Sequence, residues 1–267
     1  ADSRQFFKEM SIGTAVPFKE ELEAAPHHFI QHISIKEDYS VGDFERDALQ
    51  KAQEIFNRTD NLILVGGSGL YVNSFLKGLD EFPEVDPAIR EKLNVRLQDE
   101  GIQALQKQLQ ELDPPYYKKV DIENPHRIIR ALEICIGTGK PFSSFLNRKN
   151  SKRDFEVLNI GLTASREIIY NRINLRVDQM MEAGLPEEAK RLYPYRNLNA
   201  LNTVGYKELF QHFDGEISLN EATEEIKKNT RRFAKRQLTW FRKNENIKWF
   251  DFQTPAEEII KYIKVSL

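Results

Sequence analysis

Cysteine is nearly missing: Cys135 is the single one in 267 residues. That excludes intramolecular disulfides and cysteine-based zinc sites, and a reducing, cytoplasmic setting is expected. No apolar run approaches the roughly 20 residues a membrane helix needs, so no membrane partner is expected. No signal-peptide pattern is visible at the front. Neither sign of charge dominates: 39 Lys and Arg stand against 41 Asp and Glu, a net charge of −2. The total argues nothing about nucleic acid; the distribution of charge along the chain matters more. Internal repeats and low-complexity tracts are absent as well. The sequence opens Ala-Asp-Ser-Arg-Gln without an initiator Met, as expected of a chain cropped at its front.

What is present is ordinary in bulk. An apolar fraction of 40% and a charged fraction of 30% suit a globular protein. The length suits one large domain or a domain with an insertion. The stretch that organises the rest is Asn61-Leu-Ile-Leu-Val-Gly-Gly-Ser-Gly-Leu-Tyr71. Residues 62–65 are an unbroken apolar run of strand length, which predicts a strand buried on both faces. Glycines then permit a tight turn and a close backbone approach by a ligand. In open α/β sheets ligands sit beyond the carboxyl ends of such strands, so the site is expected near residues 66–68. An ordinary strand and glycine turn would read the same way, since a lone glycine pair is weakly specific.

Other segments follow from periodicity. Residues 27–35, introduced by Pro26, have a rough period of two and predict a strand. His27, His28 and His32 invite a metal reading, but no carboxylate cluster accompanies them and a strand scatters them over both faces. Ser40-Val-Gly-Asp43 predicts a capped helix start, followed by Phe44, Ala48, Ala52, Ile55 and Phe56 at helical spacing. Strand, helix and strand in succession make a parallel crossover unit. From Asp86 the composition turns to Glu, Gln, Lys and Leu, with Leu93, Leu97, Leu105 and Leu109 at helical intervals. Asp113-Pro-Pro breaks the pattern, and residues 126–136 form another helix ended by Gly137 and Gly139. Residues 86–155 therefore read as a helical insertion, and residues 157–162 as a returning strand. Ser165 caps the next helix, whose stripe is Ile169, Ile173, Val177 and Met180. Arg172 and Arg176 lie one turn apart on a shared face of it, a pattern that solvated helices also carry. Gly184 ends that helix and Pro186 opens another. Residues 247–252 read as a late strand and 256–265 as a closing helix.

Residues 230–242 are the most unusual. From Lys227 to Lys243 there are eight Lys or Arg and no Asp or Glu. Helical geometry puts Lys228, Arg231, Arg232, Lys235 and Arg242 on one side, with Ile226, Phe233, Gln237 and Trp240 opposite. One face is expected to pack and the other to meet phosphates, although a merely solvated basic face shares the pattern.

Taken together, Asp2-Ser-Arg-Gln5, Ile12-Gly-Thr-Ala15, Pro26-His-His28, Gly66-Gly-Ser-Gly-Leu-Tyr71, Arg127-Ile-Ile-Arg-Ala-Leu-Glu133, Thr138-Gly-Lys-Pro141, Gly205-Tyr-Lys207 and Thr230-Arg…Ala234-Lys-Arg-Gln-Leu-Thr-Trp-Phe-Arg242 resemble the bacterial tRNA dimethylallyltransferase family, in the family's order and over the whole chain. The resemblance implies an α/β fold: a P-loop kinase-like parallel sheet flanked by helices, spanning 1–85 and 156–267, with a mostly helical insertion at 86–155 that contacts tRNA. It implies transfer of a dimethylallyl group from dimethylallyl diphosphate to N6 of the adenosine adjacent to the anticodon, with Mg²⁺ assisting the diphosphate. The implied partners are the tRNA anticodon stem-loop and dimethylallyl diphosphate, and a monomer is expected.

By the same resemblance, Asp2 is the implied base, Arg176 and Arg172 the implied diphosphate contacts, and Ser68 a further catalytic group where the family usually has Thr. The implied tRNA contacts are Asp2, Ser3, Arg4 and Gln5; Ser68; Arg90; His126, Arg127, Ile128, Ile129 and Arg130; Asn202, Thr203, Val204, Gly205, Tyr206 and Lys207; and Lys235, Arg236, Gln237, Leu238, Thr239, Trp240, Phe241 and Arg242. The metal ligands are not assigned. The family also carries an N-terminal strand and a Gly-rich loop of the G-x-x-x-x-G-K-[ST] type before the Asp-Ser segment. This sequence contains neither, so the diphosphate cradle, its Lys and its Thr are not assigned here: either the chain is cropped at its front or it is inactive without that element. Three other readings stay open: an adenylate isopentenyltransferase acting on free nucleotide, a small-molecule P-loop kinase, and a non-catalytic RNA-binding protein.

Overall fold

The computed structural model describes residues 1–146 and 153–267, so part of the expected insertion, 147–152, lies outside the described residues. In chain order the helices are α1 (Lys19–Ala24), α2 (Val41–Phe56), α3 (Gly69–Lys77), α4 (Pro87–Glu100), α5 (Ile102–Leu112), α6 (Pro114–Tyr117) and α7 (Pro125–Thr138). Strand β1 (Asn159–Thr163) follows, then α8 (Arg166–Glu182), α9 (Leu185–Leu192), α10 (Tyr206–Phe213), α11 (Leu219–Phe241), β2 (Ile247–Asp251) and α12 (Ala256–Ser266). The chain divides into two compact units, Ala1–Leu76 with Arg153–Leu267, and Lys77–Lys152. No helix among the described residues is long and apolar enough to cross a membrane.

The first unit is α/β with few strands. β1 and β2 pair in parallel from Asn159↔Ile247 to Thr163↔Asp251, and α8 to α11 form the crossover between them. The local signals explain the helices. Ser40 and Asp43 make a reciprocal capping box on α2, each receiving the other's backbone N–H. The Ser165 hydroxyl accepts Ile168 N–H at the start of α8. Phe44, Ala48 and Ala52 face the core from α2, and Val177 from α8. Phe6 is buried at its centre, stacked on Phe44 and edge-on to Tyr39 and Tyr71.

Two expected strands do not form. Residues 27–35 turn instead, because Phe29 and Gln31 adopt positive φ (63° and 47°) and break the extended path. A single parallel bridge, Phe7↔Ile33, remains. Residues 62–65 join no ladder among the described residues. Burial alternates there: Leu62 and Leu64 lean on the core, while Ile63 is 85% and Val65 74% exposed. Among the described residues only one face of this segment is covered, so burial on both faces is not observed. The histidines form no metal site either. No group of three or more His, Cys, Asp or Glu among the described residues could hold a metal ion. His32 sits instead among the rings of Phe6, Phe29 and Tyr39, each centred 5.3 Å from it, and its ring nitrogens have no hydrogen-bond partner among the described residues. Burial lowers its pKa, with Asp47 and Glu37 opposing that shift.

The second unit is helical. Gly101, at φ 78°, splits residues 87–112 into α4 and α5, where the composition suggested one stretch. Leu93, Leu105 and Leu109 pack with Ile128, Leu132 and Ile134 of α7. α7 runs through Gly137 and stops at Gly139, at φ 68°. Buried Asp113 ties the start of α6 to the segment after α7, accepting Tyr116 N–H and both N–H and O–H of Ser143.

Glu188 is a buried carboxylate with no ion pair among the described residues. Glu188 on α9 accepts the N–H groups of Ser11, Ile12 and Gly13 at 2.9–3.1 Å and the Tyr206 hydroxyl at 2.6 Å. Burial and then Glu188 push the Tyr206 hydroxyl pKa up, so it stays a donor. Removing the carboxylate strands all these donors without water. Glu188→Ala should therefore cost about 3 kcal/mol or more in denaturant unfolding, the scale of several unpaired buried groups. A loss below about 1 kcal/mol would mean that the 11–13 turn finds other acceptors.

Candidate functional site

The residues at the front of the chain fold into a tight turn. Asp2 Oδ1 accepts Arg4 N–H at 3.0 Å, and Asp2 O accepts Gln5 N–H at 3.2 Å. One carboxylate oxygen thus orients Asp2, and the other makes no hydrogen bond to a described residue. Phe6, next in sequence, anchors this turn in the core.

The glycine turn closes over it. The Ala1 backbone nitrogen donates to Val65 O, and Ala1 O accepts Ser68 N–H at 3.2 Å. Gly66 makes this approach possible: a Cβ there would lie 2.2 Å from Ala1 O. The Ser68 hydroxyl then accepts Ser3 N–H at 3.0 Å and meets the Ser3 hydroxyl at 3.1 Å. Tyr71, a turn further along α3, packs against Phe6. Asp2, Ser3 and Ser68 therefore form one small polar centre.

Two further segments reach it. The Arg4 guanidinium donates to Ala200 O at 3.1 Å, tying the front turn to the segment before Asn202. Burial lowers its pKa, with Tyr71 and Asp2 opposing that shift. Helix α11 arrives from the other side. Gln237 Nε2 donates to Gly67 O at 2.9 Å, and the Trp240 indole lies against Gly69. Gln5 turns away: its amide nitrogen donates to Thr14 O and Ala15 O, and its amide oxygen is left for other contacts.

The remaining expected residues fall into groups. Arg172 and Arg176 share an exposed face of α8, and Arg172 stacks over Phe252 at 4.9 Å. No hydrogen bond or ion pair among the described residues joins either arginine to Asp2, Ser3 or Ser68. In the helical unit, Arg90 and Arg130 both donate to buried Glu133, at 2.8 and 3.1 Å. Burial alone would raise the Glu133 pKa, but the two arginines outweigh it and hold the carboxyl below its ordinary value. His126 and Arg127 are exposed at the start of α7. Ile128 and Ile129, expected as RNA contacts, are buried in the core of that unit and offer no side-chain surface. Tyr206 is likewise buried and bonded to Glu188. Gly205 N–H is taken by Glu208. In that segment Asn202 and Lys207 are exposed, with Thr203 and Val204 half-buried.

The basic helix differs from its helical projection. Ala222 and Ile226 are buried, but no residue of α11 beyond Ile226 is. Phe233 is 50% and Trp240 40% exposed, so neither anchors a packed face as expected. Lys228 is paired with Glu225, and Arg231 donates to Asn174 on α8. The exposed cationic surface lies further along. Arg232, Lys235, Arg236, Thr239, Trp240 and Lys243 line a shallow groove of about 420 Å³. Arg242 is exposed beside it, and Leu238 and Phe241 are half-buried.

Sequence reasoning missed Glu188 and Gln237 as structural ties. Each left a readable signal. Glu188 is an acid on the apolar stripe of Leu185, Ala189 and Leu192. Gln237 is the one polar residue on its face of α11 between Phe233 and Trp240.

The IPP transferase family pattern matches residues 5–244. A tRNA dimethylallyltransferase of Christiangramia forsetii is 64% identical over 99% of this chain and 87% of its own length. The chain belongs to the IPP transferase family. A second relative, the tRNA dimethylallyltransferase of Flavobacterium johnsoniae, is 59% identical over all of this chain and 88% of its own length. Among solved structures, a tRNA isopentenylpyrophosphate transferase of Bacillus halodurans is similar at TM-score 0.70 and 38% identity, over 99% of this chain and 84% of that one. A eukaryotic dimethylallyltransferase acting on tRNA aligns at TM-score 0.80 and 26% identity, over all of this chain and 71% of that one.

The exposure of the Trp240 indole in this family member has a measurable consequence. Trp240→Ala should lower stability by only about 1–2 kcal/mol in denaturant unfolding, since less apolar area leaves water. A loss of about 3–5 kcal/mol, the scale of a buried aromatic, would show that the indole packs as core.

Proposed function

We propose that this chain transfers a dimethylallyl group from dimethylallyl diphosphate to N6 of the adenosine adjacent to the anticodon in tRNA. The observation that carries the residue assignment is the meeting of the Asp2–Ser3–Ser68 centre with α11, which presents a cationic groove on its outer side. A small-molecule transferase has no use for that groove. An RNA loop has: Lys and Arg meet phosphates, and a half-exposed indole stacks an unpaired base. Arg90, Arg127 and Arg130 give the helical unit a cationic surface of its own, which we assign to RNA together with the neighbouring His126. The parallel β1–β2 pair with its helical crossover supports reading the core as P-loop kinase-like. We read the enzyme as a cytoplasmic monomer.

The exocyclic amine is a poor nucleophile, because its lone pair is delocalised into the adenine ring. As N6 bonds to the allylic carbon it becomes acidic. Asp2 takes that proton on the carboxylate oxygen that Arg4 N–H leaves open. The allylic C–O bond breaks and its electron pair departs with the diphosphate. Arg176, with Arg172 on the same face of α8, offsets the charge that builds on the bridging oxygen, more in the transition state than in the ground state. Ser3 fixes the Ser68 hydroxyl within this centre. The adenine must leave the loop stack to reach the carbon, at a cost of a few kcal/mol that is least in a single-stranded loop.

The donor set bears on the Mg²⁺ expectation. No three carboxylate, imidazole or thiolate groups converge among the described residues, so they provide no cage for the ion. Mg²⁺ is commonly held by one or two protein oxygens together with substrate phosphates. An ion of this kind would arrive with the diphosphate and offset part of its charge.

Asp2→Asn should keep tRNA affinity but lower turnover by roughly 10²-fold or more, the scale of losing a positioned base. Prenyl transfer to an anticodon stem-loop, followed by mass spectrometry, measures it; an unchanged rate removes Asp2 from the role. Arg176→Ala in the same assay should lower kcat/KM for dimethylallyl diphosphate with tRNA affinity little altered.

Salt dependence tests the RNA path separately. Lys235→Ala and Arg242→Ala should each weaken tRNA binding and flatten the slope of log K against log salt by about 0.7–0.9. Unchanged affinity and slope in both would mark the helix as a solvated face.

A further inference from the structure

The way α11 is held points to a coupling between its two sides. Beyond Ile226 none of its residues is fully buried, and polar ties to its neighbours help set where it sits. One is Arg231 to Asn174 Oδ1, on the side of α8. Another is Gln237 Nε2 to Gly67 O, at 2.9 Å. The second is unusually close-fitting, because a Cβ on Gly67 would lie 1.8 Å from Gln237 Nε2. Gly67 O belongs to the peptide unit that carries Ser68 N–H, and that N–H donates to Ala1 O. Ser68 Oγ in turn holds Ser3, the neighbour of Asp2. A continuous path of direct bonds thus runs from Gln237 through Gly67, Ser68 and Ser3 to Asp2. Two residues of helix separate Gln237 from Lys235 and from Thr239, so both fall on the opposite side, in the cationic groove.

We propose that Gln237 is a positioning residue: its amide couples the seating of RNA on α11 to the alignment of Ser68 and Asp2. The inference rests on the proposed reaction and deepens it. It gives Gln237 a role through the glycine turn, where the family resemblance implied a direct tRNA contact. When RNA grips the outer face of α11, Gln237 carries the resulting position of the helix to the turn. Misplacing a reacting group by about 1 Å costs roughly 10²-fold in rate, so a single hydrogen bond at this joint has a large lever.

The test uses Gln237→Glu, which keeps the shape but replaces the donor with an acceptor facing Gly67 O. Gln237→Ala, Gly67→Ala and the double variant accompany it, all in the full chain. We expect Gln237→Glu to lower kcat by about ten- to a hundredfold while KM for tRNA and the salt slope of binding change by less than about twofold. Gly67→Ala should show a similar loss, and the double variant should recover part of it, because truncating Gln237 makes room for the methyl group. Amide hydrogen exchange at residues 66–69 should slow when an anticodon stem-loop is added to the wild type, and should not in Gln237→Ala. A Gln237→Glu variant with normal kcat and weakened tRNA binding overturns the proposal and makes Gln237 an RNA contact. Strictly additive losses in the double variant, or identical exchange protection with and without the glutamine, overturn it too. Failure of the wild type to transfer the prenyl group speaks against the proposed reaction instead; the exchange comparison still decides the coupling.

Discussion

The candidate site depends on one close approach of backbone to backbone. Ala1 lies where a side chain on Gly66 would be, and the Ala1 carbonyl takes the Ser68 amide. Without that contact the Asp2 turn and the glycine turn would be separate loops on one surface. With it, Ser3 reaches the Ser68 hydroxyl, and Phe6 and Tyr71 lock the two segments into a shared aromatic cluster. Such preorganisation matters for a reaction whose nucleophile is weak, because positioning supplies much of what chemistry does not.

The same centre is buttressed from several directions. Arg4 ties it to the turn before Asn202, and Glu188 ties the 11–13 segment to α9 and α10. Gln5 links the front turn to that segment through Thr14 and Ala15. These ties use backbone carbonyls and amides as partners for buried polar side chains. That satisfies groups which would otherwise be costly to bury. The exposed face of α11 carries Arg232, Lys235, Arg236 and Lys243, which can meet phosphates with little desolvation.

Local signals in the sequence were read more reliably than long-range ones. The Ser40–Asp43 cap, the Ser165 cap, and the strands near residues 159 and 247 all carry their determinants within a few residues. The run at 62–65 does not. Its apolar character is real, but a strand exists only with a partner, and none among the described residues pairs with it beyond Ala1. Residues 27–35 misled for a different reason: left-handed turns at Phe29 and Gln31 use no glycine and leave no compositional mark. The charge run on α11 was legible, yet its opposite face was not. Period alone placed Phe233 and Trp240 inward, whereas the buried contacts of that helix end at Ile226. Among the site residues, Asp2, Ser3 and Ser68 converge. Ile128, Ile129 and Tyr206 lie in recognisable motifs because they build the core.

The most direct measurement is a crystal structure of the protein with an anticodon stem-loop and an unreactive dimethylallyl diphosphate analogue bound. The adenosine N6 should then lie within hydrogen-bond reach of the Asp2 carboxylate, with the loop phosphates along Lys235 and Arg242. An adenosine bound with N6 facing another base, and Asp2 still turned into its own loop, would contradict the assignment of this centre as the place of reaction.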